Sequence, residues 1–126
     1  MGGNGGGPVT TALPAGTVTV LFTDVEKSTD LRTSRGDDAA HALLHTQSEL
    51  VRYQVREHGG HEVKSMGDGF MVAFASARAA VDCAVAIQRR LNDNNRSQAP
   101  EDRIRVRAGL HTGEVVNHLG ITFAVN

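Results

Sequence analysis

Only one cysteine, Cys83, occurs in the 126 residues, so an intrachain disulfide is excluded. A lone thiol suits a reducing compartment, and its small apolar side chain suits a buried position. No run of 18 apolar residues is present, which excludes a membrane-spanning helix on the sequence as written. Basic clusters are missing too. Lys and Arg number 13 against 14 Asp and Glu, leaving a formal charge of −1. No field of that size draws nucleic acid or an anionic membrane. The opening stretch MGGNGGGPVTTALPAG has neither a basic start nor an apolar stretch, so it does not read as a secretory signal. The expected compartment is the cytoplasm.

What is present divides in two. Residues 1–16 are Gly-rich with two prolines and read as a flexible tail. Residues 17–126 are long enough for one hydrophobic core and too short for two. Thr17–Thr23 is β-branched and aromatic and predicts a central strand, with Val18, Val20 and Phe22 on one face and Leu21 on the other. From Asp37 to Glu57, Ala40, Leu43, Leu44, Leu50, Val51 and Val55 recur at helical spacing, and His58-Gly59-Gly60 stops the helix. HEVKS and FMVAFA flank a turn of Gly67, Asp68 and Gly69, which predicts a hairpin. Ser76 is a candidate N-cap for a helix to Leu91, with Ala77, Ala80, Val81, Ala84, Ile87 and Leu91 inward. NDNNRSQAPED reads as a polar loop. RIRVRAGLHTGEVV then alternates, with Ile104, Val106 and Ala108 inward, Arg105 and Arg107 facing solvent, and a turn at Thr112-Gly113. NHLGITFAVN approaches one further element. The order is strand, helix, hairpin, helix, strand. It predicts an α+β, ferredoxin-like split βαβ domain, a mostly antiparallel sheet with helices on one face.

In that layout the first strand is central and a hairpin strand lies beside it. Asp24 ends the first strand and Asp68 sits in the hairpin tip, so the two carboxylates converge at one sheet edge. Two carboxylates held close repel unless a cation lies between them. A hard ion with oxygen ligands, Mg²⁺ first, resolves this and keeps positions open for water and phosphate. EKST after Asp24 leads towards a helix start, which suits phosphate. Lys64 lies on the side of the strand shared with residues 66 and 68. Taken singly, each feature has a plain structural use: a carboxylate after a strand caps or turns the chain, and GDG makes a good turn. Their combination on one fold points to a site.

VTVLFTDVEKST, HGGHEVKSMGDGFMVAF and IRVRAGLHTGEV together resemble the class III nucleotidyl cyclase catalytic domain, in family order and spacing, over about residues 17–116. The resemblance implies a homodimer, or a pair with another cyclase subunit, with the active site between subunits. It implies that Asp24 and Asp68, with the backbone carbonyl of Val25, hold two Mg²⁺ or Mn²⁺ ions. It implies that backbone N–H groups around Ser28 and Thr29 hold the triphosphate. Lys64 matches the lysine that reads adenine from the other subunit, where guanylyl cyclases usually carry Glu, so the implied substrate is ATP. The implied products are 3′,5′-cyclic AMP and pyrophosphate.

The match departs from the family near the C-terminus. Alignment on Gly120 puts Asn117 at the second purine-reading position and Ala124 at the transition-state Asn. Alignment on the Val-Asn pair makes Asn126 the catalytic Asn and leaves Leu119 to face the purine. The second is preferred, because Ala-Val-Asn resembles the family's helix start. The family's following Arg is absent under either. An alternative reading is therefore a catalytically incompetent fragment that binds nucleotide or a partner subunit. Lys27 stands where the family commonly has Gly. His41 and His45 have a zinc-compatible spacing but no third ligand, so they read as a solvated helix face. His111 reads as structural.

Overall fold

The computed structural model describes residues 16–26, 36–118 and 121–125. Strand β1 (Gly16–Val25) takes in the last residue of the expected tail. Helix α1 (Asp37–Glu57), strands β2 (His61–Met66) and β3 (Gly69–Phe74) and helix α2 (Ala77–Arg96) follow. A 3-10 turn (Pro100–Asp102) leads to strands β4 (Val106–His118) and β5 (Ile121–Val125). The strands form one antiparallel sheet in the order β2-β3-β1-β4-β5. β1 and β2 therefore run the same way with β3 between them, the split βαβ arrangement of a ferredoxin-like α+β fold.

The helices form where sequence periodicity and caps agree. Asp37 and Asp38 open α1 and Arg56 lies in its last turn, each opposite in sign to the adjacent end of the helix dipole. Gly59 then takes φ 72°, and the Gly60 N–H donates to the Val55 carbonyl at 2.8 Å. At the start of α2 the Ser76 hydroxyl oxygen accepts from the Ala79 N–H at 3.1 Å. Leu44, Val51 and Val55 of α1 and Cys83, Ile87 and Leu91 of α2 pack with Leu21, Val25, Phe70, Val72 and Phe74 of the sheet. On β1, residues 19, 21, 23 and 25 thus face the helices. Val18, Val20, Phe22 and Asp24 face the other way. Arg52 clamps α1 to β2 through two bonds to the Glu62 carboxylate, 3.0 and 3.2 Å.

Cys83 is fully buried, and burial pushes its thiol up to about 11. The thiolate is the reactive form. A disulfide reagent at pH 8 is therefore expected to label the native protein about 100-fold more slowly than the chain in guanidinium. Equal rates in the two states would show that the thiol is open to solvent.

Besides Ala77 and Val81, expected inward on α2 but exposed, four expectations need correction. No turn occurs at Thr112-Gly113, because β4 runs through both, with Val18 opposite Gly113 and the Thr19 and Thr112 hydroxyls 2.9 Å apart. Glycine there is a strand residue without a positive φ, although its composition reads as a turn. Second, α2 continues past Leu91 to Arg96, where the Asn95 side chain bonds both the N–H and the carbonyl of Ile104 (3.0 and 2.8 Å). Third, Ile104 and Val106 are buried but Ala108 is exposed, as is Leu110 on the same face. The helices cover the start of β4 and leave its middle bare. Fourth, Gly69 belongs to β3, so the hairpin turn is Gly67-Asp68 alone.

Candidate functional site

The end of β1 is held against the start of β3 by two features. The Phe70 N–H donates to the Thr23 hydroxyl oxygen at 3.1 Å. Gly69 lies directly on the β1 backbone: a Cβ built there would fall 2.1 Å from the Thr23 carbonyl oxygen and 3.4 Å from the Asp24 Cα. Only glycine permits such an approach. Gly67 turns the chain with φ 61°. Asp24 follows Thr23, and Asp68 precedes Gly69, so the two acidic residues flank this contact at one corner of the sheet. Asp24 is well exposed, its side chain at 58%, and Asp68 is half-buried.

Arg107, expected to face solvent, is exposed but engaged. It is the register partner of Asp24 across β1 and β4, and its Nη2 donates to Asp24 Oδ2 at 2.7 Å. Phe22, Thr23, Asp24, Arg107, Ala108 and Gly109 line a depression of about 460 Å³. Among the described residues no group of three or more His, Cys, Asp or Glu side chains forms. A donor set of two carboxylates and main-chain oxygens suits Mg²⁺ or Mn²⁺ completed by water, and does not suit zinc.

Lys64 reaches this side of the sheet through an irregularity. Glu62 pairs with Val72, but Lys64 pairs with Met71, so Val63 is an extra residue in β2. Strict alternation from Glu62, which faces α1, would have turned Lys64 toward the helices as well. The bulge turns it to the face of Met71, Phe22 and Asp24, where it is exposed. Val25 is buried and pairs with Val106. Asn117 is not brought near Lys64. The row through Lys64, Met71 and Phe22 meets β4 at Gly109, and Asn117 lies further along that strand, opposite Thr122. Its separation is about 25 Å along the strand axis. Ser28, Thr29 and Asn126 lie outside the described residues, as do Lys27 and Leu119. His41 and His45 are exposed on α1, and His111 is half-buried within β4. Sequence reasoning missed Thr23, Gly69 and Arg107. Gly69 was visible only as part of a turn, and pairing of Arg107 with Asp24 requires the strand register.

Residues 11–122 match the sequence profile of the family described as the adenylate and guanylate cyclase catalytic domain. An uncharacterized protein of Mycobacterium tuberculosis is 44% identical over 104 residues, covering 81% of this chain and 33% of that protein. The adenylate cyclase of Lachancea kluyveri is 36% identical over 98 residues, 78% of this chain and 5% of that protein. The chain therefore spans a third or less of the length of these relatives. Among solved structures, an adenylate cyclase of Trypanosoma brucei in its monomeric state superimposes with TM-score 0.69 at 26% identity. It covers 88% of this chain and 64% of its own.

Proposed function

The chain belongs to the adenylate and guanylate cyclase catalytic domain family, and on that premise we propose that it converts ATP to 3′,5′-cyclic AMP and pyrophosphate. It would do so paired with a second copy or another cyclase subunit, in the cytoplasm. The observation that supports this reading most is the Gly69–Thr23 contact, which brings two acidic residues to one solvent-reached corner. Asp24 and Asp68, with the Val25 carbonyl, are the residues that would hold two Mg²⁺ or Mn²⁺ ions. Bound there, the ions supply charge neutralisation on both the attacking ribose oxygen and the leaving pyrophosphate. The chain's own part is positioning. Backbone N–H groups around Ser28 and Thr29 hold the triphosphate, and Asn126 steadies the reacting phosphoryl group. Asn117, the other proposed substrate contact, would have to act away from the Lys64 row, about 25 Å along β4.

Lys64 is the proposed reader of the base in the partner's site. Its ammonium can only donate, which matches an acceptor nitrogen of adenine. A carboxylate at the same place would match the donors of guanine. Purified protein with Mg²⁺ or Mn²⁺ is expected to form cyclic AMP from ATP, followed by chromatography, and much less cyclic GMP from GTP. Lys64→Glu is expected to shift the ratio of kcat/KM for ATP over GTP by about tenfold or more toward GTP. Absence of any cyclic nucleotide from wild type would remove the proposed reaction. An unchanged ratio would remove Lys64 from base selection.

A further inference from the structure

Resting on the metal reading above, we infer that Arg107 is the resident counter-ion of Asp24 and that a divalent ion enters this carboxylate by displacing it. Arg107 and Asp24 stand directly opposite each other across β1 and β4, so the pairing is fixed by the ladder and not by chance reach. The bond, Nη2 to Oδ2 at 2.7 Å, is short and charge-assisted. Both side chains are more than half exposed, Arg107 at 65% and Asp24 at 58%. An ion can therefore reach the carboxylate from solvent, and the guanidinium can leave without unpacking the core. Arg107's neighbour Val106 is buried, which anchors β4 while the guanidinium moves. An oxygen that accepts from the Arg107 guanidinium is committed, so each binding event exchanges one cation for another. The carboxylate is compensated in both states, and apparent metal affinity falls by the fraction of sites held by Arg107.

The test is Mn²⁺ binding without nucleotide, read by the loss of free-ion electron paramagnetic resonance at low ionic strength. Arg107→Met is expected to bind Mn²⁺ up to about fivefold more tightly than wild type, the scale of an exposed ion pair. Arg105→Met, which removes the same charge two residues away, is expected to change affinity little. Equal tightening in both variants would reduce the effect to net charge and overturn the displacement. Asp24→Asn separates the two levels of the argument. If it loses Mn²⁺ while Arg107→Met matches wild type, the displacement fails and the metal reading stands. If no variant binds Mn²⁺ at all, both fail. In wild type, the Arg107 guanidinium resonance of ¹⁵N-labelled protein is expected to shift on addition of Mg²⁺, and an unmoved resonance would also overturn the displacement.

Discussion

Asp24→Ala is expected to form cyclic nucleotide about 10²- to 10³-fold more slowly than wild type, or not measurably, while remaining folded. The two halves of this expectation have separate causes. Removing one group that fixes charge stabilisation in a transition state costs about 3–4 kcal/mol in comparable sites. The carboxylate here is a proposed direct ligand, so the loss reaches at least that scale. Stability is another matter, because the side chain is largely exposed and its bond to Arg107 is a surface pair. Such pairs contribute about 0–1 kcal/mol. Steady-state rates with Mg²⁺ and Mn²⁺, beside a urea titration, check both halves. Activity near the wild-type level in a folded Asp24→Ala protein would take the metal role away from this corner.

Gly69→Ala carries the second large effect, and it acts on fold and site together. The added methyl would sit 2.1 Å from the Thr23 carbonyl oxygen and 3.2 Å from the Thr23 carbonyl carbon. Both are backbone atoms, so no side chain can swing aside. β1 and β3 must part at that point, and the Phe70–Thr23 bond of 3.1 Å stretches with them. Overpacking of this kind destabilises by about 1–3 kcal/mol. On a domain of this size, the melting temperature is expected to fall by roughly 4–8 °C for each kcal/mol. The same displacement moves Asp68 away from Asp24, and a shift of about 1 Å at a reacting site can reduce rate about a hundredfold. Thermal unfolding and cyclase rate at a temperature where the variant is still folded separate the two effects. An unchanged melting temperature with full activity would mean that the strands do not meet as closely as described here.

These two residues also mark how far the sequence could be read. The helix at Asp37–Glu57 was legible to its ends, because apolar spacing, acidic start and glycine stop all act locally. The hairpin and the convergence of positions 24 and 68 were legible from strand order alone. Composition could not distinguish Gly113, inside a continuous strand, from a glycine in a turn, since its environment is set by β1 across from it. Nor could it give the engagement of Arg107, which depends on which rung of the ladder faces Asp24. Gly69 was read for the freedom it lends a turn, whereas its use is the space that a missing Cβ leaves for Thr23. In each case the local signal was real, and the partner that gave it meaning lay in another strand.

The extra residue at Val63 has a consequence for how such proteins are compared. Loss of Val63 would leave Lys64 opposite Met71 in a regular ladder, whereas loss of the bulge with Val63 retained would turn Lys64 beneath α1. The face that a β2 side chain presents is therefore set by the bulge as much as by its place in the sequence, and a comparison that counts this strand in strict alternation will put Lys64 on the wrong side of the sheet.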